Sequence, residues 1–190
     1  GPGYDGSEDE LCWISPNGGD VTKIYKTLGK FNPHFVKGED NRIYLNDGNG
    51  NLISINWEGA DEKTVAHITG ITTYGSIPAK MGRPDPSKMQ CILGDIEDDD
   101  YAKELNLPSP ASFVTMSPNG NKAIAQINNN VYVVTIPKTG KVDEISVASA
   151  DDAEFPARQL TEIGGEFPYW QADGKTVHWS LGSTHFTYDV

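Results

Sequence analysis

The chain has 190 residues, enough for a substantial core, and carries 27 acidic against 15 basic side chains for a formal charge of −12. That balance opposes binding to phosphate backbones, which need clustered Lys and Arg, so nucleic acid is a poor partner. No run reaches the roughly 18 apolar residues of a membrane-spanning helix and no basic, apolar leader opens the sequence, so the residues present are expected to be soluble.

Gly1-Pro2-Gly3 has the look of a protease-cleaved tag scar, and residues 1–10 are read as a lead-in outside the fold. From residue 11 the pattern becomes short alternating runs ended by Gly, Asn and Asp. Residues 11–14 (LCWI) read as one strand and 21–27 as the next, joined through Asn17-Gly18-Gly19. Alternation around Cys12 points its thiol into a sheet face. Cys12 and Cys91, far apart in a chain too large to need staples, read as free and partly buried.

Residues 33–45 open a repeated unit, an apolar run, a turn and an alternating run, with Gly38-Glu39-Asp40-Asn41 as its turn. Hairpin signals Asp47-Gly48 and Asn49-Gly50 follow, then the strand 52–57 (LISINW), which reads as wetter on one face. Residues 72–110 break the rhythm. Pro78, Pro84, Pro86, Pro108 and Pro110 argue against interior strands, leaving one strand at 89–93 and one short helix at 100–105 capped by Asp98 or Asp99, so this stretch reads as an insertion.

The unit returns at 113–125 (FVTMSPNGNKAIA) and, in its best copy, at 167–180 (FPYWQADGKTVHWS). Between them, 131–136 (VYVVTI) is apolar on both faces, as a strand sandwiched between sheets would be. Residues 142–147 read as a fourth strand of that unit, and 149–154 as an acidic loop. A final strand covers 185–190 (HFTYDV). The strands starting at 11, 52, 131 and 185 occupy one position in the unit, with spacings of 41, 79 and 54.

Repeats of roughly 40 to 50 residues carrying four short strands are the mark of a β-propeller, because one four-stranded blade cannot bury its own faces. The expected fold is therefore all-β: a partial propeller of three to four blades over 11–190, interrupted by the insertion at about 72–110. An incomplete ring expects a partner, either the rest of a longer chain or a second copy.

No residue reads as catalytic, cofactor-binding or metal-ligating. His34, His67, His178 and His185 are scattered with no paired spacing, and each reads as a packed or rim histidine. The acidic run Asp95, Glu97, Asp98, Asp99, Asp100 lacks a calcium-loop frame and reads as a solvated turn, while Asp47, Asn49 and Asn51 read as a hairpin. There is no nucleophile elbow or phosphate loop; Gly164-Gly165 precedes a strand, and Ser180, Ser183 and His185 read as turn residues. Trp13, Trp57, Trp170 and Trp179 read as packing between sheets rather than as a carbohydrate platform.

The run FPYWQADGKTVHWS and its diverged copies resemble the TolB-like propeller repeat, whose usual form is P-x-W-S-P-D-G-K followed by an apolar strand. More narrowly, 128–137 (NNNVYVVTIP), 160–170 (LTEIGGEFPYW) and 177–190 (VHWSLGSTHFTYDV) resemble the propeller region preceding the catalytic barrel of large bacterial amidohydrolase-family proteins. That resemblance implies a hydrolase of C–N bonds whose divalent metal, zinc, is held by a His-x-His barrel outside this sequence, and an exported location. It transfers no site residue to this chain, and implies a non-catalytic role in substrate access or assembly. Two rival roles are a TolB-like protein-interaction module and the accessory propeller of a serine peptidase.

Overall fold

The computed structural model describes residues 9–71, 108–138, 142–148 and 155–190. Every regular element among them is a strand, so the all-β expectation holds. The strand expected at 89–93, the helix at 100–105, the acidic run, the loop 149–154 and Cys91 lie outside the described residues.

Among the described residues, chain order gives four successive sheets, antiparallel apart from one parallel pair, none of which closes on itself. A hairpin of β1 (Glu10–Trp13) and β2 (Thr22–Lys26) comes first. β3 (Phe31–His34), β4 (Ile43–Asn46), β5 (Asn51–Ile55) and β6 (Lys63–Ile71) then form a meander. β7 (Pro108–Pro110) pairs with the far half of β6, its two prolines on an edge as their missing N–H groups require.

A second meander follows from β8 (Phe113–Met116), β9 (Lys122–Ile127) and β10 (Asn130–Thr135). After β11 (Asp143–Ser146), β12 (Ala157–Gln159) completes it beside β10. The last sheet holds β13 (Glu166–Trp170), β14 (Thr176–Leu181) and β15 (Thr184–Asp189). The three copies of the repeated unit thus fall on the first and second strands of three consecutive sheets, β3–β4, β8–β9 and β13–β14.

Alternation explains the stacking. Along β9, Ala123, Ala125 and Ile127 face the preceding sheet, where they join Leu52, Ala66 and Ile68, while Ile124 faces the following one with Val177 and Trp179. Ile43, Leu45 and Ile55 bury the opposite face of the first meander against Leu11, Ile24 and Tyr25 of the opening hairpin. Each meander is therefore dry on both faces. β5, expected to be wetter on one side, buries Leu52, Ile53, Ser54 and Ile55 alike.

Three expectations are corrected. The strand at 142–147 does form, but β11 pairs parallel with β6 of the preceding sheet and does not serve as the fourth strand of its own. Ile145 and Val147 bury in the core between the two meanders, and β11 covers an edge of β6 that would otherwise be open. Cys12 is exposed: its neighbour Leu11 is the residue of β1 that packs against the first meander, and alternation turns Cys12 to the other side. Trp179 packs between sheets and Trp170 is half-buried against it, whereas Trp13 and Trp57 are 47% and 39% exposed.

Candidate functional site

The first strands of the three repeated units, β3, β8 and β13, border one cleft of about 220 Å³. Its walls carry Asn32, His34 and Phe35 on one side, Phe113 and Met116 at the middle, and Pro168 and Tyr169 on the other. A neighbouring recess of about 320 Å³ continues it past Phe113 to Phe167. Phe31, Phe35, Phe167 and Tyr169 are all exposed, so the cleft opens onto a concentration of aromatic surface.

Two Pro-containing strands shape this surface. Asn32 and Phe167 each precede a proline, which disfavours the right-handed helical region for them, and both adopt left-handed conformations, φ 57° and φ 53°. Pairing is irregular at both places, between Phe31 and His34 and between Glu166 and Tyr169. Such a conformation in a bulky aromatic costs on the order of 1–3 kcal/mol and is sustained only by its surroundings. Here it buries Pro168 and leaves the Phe167 ring 79% exposed beside the recess.

Hydrogen bonds fasten the cleft's walls together. His34 Nε2 accepts the Met116 N–H at 2.8 Å while its Nδ1 donates to the Asn32 carbonyl at 2.7 Å. Burial holds this imidazole below its ordinary pKa, partly opposed by the Asn32 carbonyl, and Nε2, as the acceptor of the Met116 N–H, carries no proton. On the other wall, Trp170 Nε1 donates to the Thr115 carbonyl at 3.1 Å. Turns of successive units also touch: the Lys37 N–H donates to the Pro118 carbonyl at 2.8 Å, and Asn119 Nδ2 donates to the Asp173 carbonyl at 3.0 Å. Both nitrogens of His34 are occupied by these fastenings, so it is no free base. What the cleft offers is aromatic surface.

A second cleft, of about 510 Å³, lies between the two meanders at Glu39, Tyr44, Lys63 and Lys138, over Met116 and Ile136. Tyr44 donates to Glu39, and burial together with that carboxylate pushes the phenol pKa up. Lys138 lies 3.9 Å from Glu39 and Lys63 lies 2.8 Å from Asp61. Its polar groups are thus paired with one another.

The residues weighed from the sequence find structural employment. Asp47 Oδ1 accepts from the Asn49 N–H at 2.8 Å and the Asn51 N–H at 3.1 Å, and Oδ2 accepts from Asn51 Nδ2 at 2.7 Å, so its carboxylate organises the β4–β5 hairpin. His67 bonds Asn51 Oδ1 at 2.9 Å. Gly164 and Gly165 lie on the link to β13, tied to Asn130 Oδ1 and the Asn129 carbonyl. Ser180 stands opposite His185 in register, but that imidazole faces His178 at 3.3 Å. No spacing along the chain announces the pairing of His178 with His185, because they meet across the β14–β15 hairpin. The aromatic cleft is hidden for a related reason: the sequence shows the first residues of the three copies, but not that their strands converge.

Among the described residues no three His, Cys, Asp or Glu side chains gather as metal ligands, so none of these residues forms the three-ligand centre that a hydrolase zinc requires. Neither a protein-family model nor a curated protein matches the chain.

Proposed function

We propose that the chain is a non-catalytic β-propeller module of an amidohydrolase-like protein, a rigid body supporting assembly or substrate access beside a metal-dependent hydrolase of C–N bonds. The observation that carries the architectural part is the recurrence of the repeated unit at one topological place in three consecutive sheets, stacked in chain order with both faces of each meander dry. The amidohydrolase part rests on the resemblance at 128–137, 160–170 and 177–190, and so does the expectation of an exported protein whose zinc lies outside this sequence. The absence of catalytic work by this chain is motivated by the employment of His34, Asp47 and His67 in fastening strands.

Purified protein is expected to show no metal-dependent hydrolysis of amide or ester substrates. Turnover abolished by a chelator would overturn the reading. Reading the coding sequence around these residues for a His-x-His barrel tests the parentage separately. A TolB-like interaction module is the second reading, favoured by the exposed Phe167 and Tyr169 rings on the aromatic cleft. A partner bound by wild type and lost in Phe167→Ser and Tyr169→Ser would select it.

A further inference from the structure

The last sheet turns one face toward the second meander and leaves the other open, and on the open face imidazoles and a phenol ring form a row. Register places Tyr169 opposite His178 and Ser180 opposite His185, which makes His178 and His185 diagonal neighbours on one side of β14–β15. The Tyr169 ring stacks on His178 with centroids 4.7 Å apart at 8°, and the two imidazole centroids are 5.2 Å apart at 16°. His178 Nδ1 and His185 Nε2 approach to 3.3 Å, while the other nitrogen of His178, Nε2, lies 3.3 Å from Gln171 Oε1.

We propose that His178 and His185 form a two-imidazole site for a borderline divalent transition ion such as Zn²⁺ or Ni²⁺, the remaining positions being filled by water. An amide oxygen only accepts, so Gln171 keeps the proton of His178 on Nε2 and leaves the Nδ1 lone pair facing His185. Holding a ligating histidine through the N–H on its far side is what oxygen partners around metal sites do. Two nitrogens 3.3 Å apart, each at the usual ~2.05 Å from zinc, subtend about 107° at the ion, the tetrahedral value. With the lone pairs facing each other along the N–N line, each ring must turn by about 36° to aim at that point.

The protonation balance is simple. Without metal, His185 Nε2 donates its proton to His178 Nδ1. On binding, that proton moves through solvent to His185 Nδ1, and both ligating nitrogens are neutral with no change in oxidation state. Imidazole nitrogen selects zinc, nickel and copper over the oxygen-seeking Mg²⁺ and Ca²⁺, and a chain of charge −12 raises the local cation concentration. His185 is exposed and His178 half-buried, so the ion reaches them without rearrangement of the strands.

Calorimetric titration of the chelator-stripped full chain with Zn²⁺, in excess Mg²⁺ to occupy the carboxylates, reads the site. One ion per chain is expected, with His178 and His185 ring resonances shifting together in imidazole NMR and the His67 resonances unmoved. His178→Ala and His185→Ala should each weaken binding at least tenfold, and Gln171→Ala by several-fold, with unchanged circular dichroism. Equal affinity and stoichiometry in the His178→Ala/His185→Ala double variant would place the ion elsewhere and overturn the assignment, as would the absence of binding at millimolar Zn²⁺.

Discussion

Replacing Trp179 tests whether stacking of the sheets holds the molecule together. The indole is 8% exposed and packs against Val177, Ile124, Val131 and Val133, with Phe186 stacked on it at 5.6 Å and 8°. A buried Trp removes about 200 Å² from water, which at ~25 cal/mol/Å² is worth about 5 kcal/mol. The alanine left behind recovers a part, and collapse around the gap recovers more. Trp179→Ala should therefore cost about 3–5 kcal/mol, and Trp179→Phe about 1–2 kcal/mol. Trp13, 47% exposed on the opening hairpin, sets the contrast: Trp13→Ala should cost under about 1 kcal/mol. Urea unfolding followed by far-ultraviolet circular dichroism measures all three without relying on the fluorophore being removed. A loss below about 1 kcal/mol for Trp179→Ala, or equal losses at 179 and 13, would refute the claim that the last sheet is held through this interface.

Gly59 has φ 72° and an added Cβ would lie 1.8 Å from the Ile24 carbonyl oxygen, so Gly59→Ala should push the β1–β2 hairpin off the first meander and cost at least 2 kcal/mol more than Gly29→Ala, where φ is 86° but the space is open; thermal melts of the pair compare the two. His34 titrates lower folded than unfolded, so its contribution is fully present above the unfolded pKa of about 6.5 and is lost as pH falls through the lower folded value. Wild type should lose more stability than His34→Gln between pH 8 and pH 5, and equal pH slopes in urea titrations would contradict this. Thr161 is buried, accepts the Val131 N–H at 2.9 Å and donates to Asn130 Oδ1 at 3.1 Å; Thr161→Val keeps the shape but strands that N–H, and should cost about 1–3 kcal/mol by chemical denaturation.

Much of the strand layout was legible because it is local. Period-two alternation and turn dipeptides located β5, β10 and β15 to within a residue or two, and the repeated unit assigned its copies to equivalent strands. Gly- and Asn-bearing turns accept positive φ wherever they fold, so a hairpin such as Asp47 to Asn51 announces itself. Burial on both faces of 131–136 was likewise written in its composition.

What the chain order could not convey is which edge a strand takes. The alternation of 142–147 is satisfied equally by its own sheet or its neighbour's. Tertiary structure sent β11 to β6, where Ile145 and Val147 reach the core between the meanders. On the opening hairpin Leu11 packs against the first meander while Cys12 and Trp13 stay exposed, because burial depends on what lies opposite and not on side-chain type alone. The aromatic cleft and the His178–His185 pair belong to the same class. Each joins residues through register or through the convergence of separate strands, and those distances exist only once the sheets are paired and stacked.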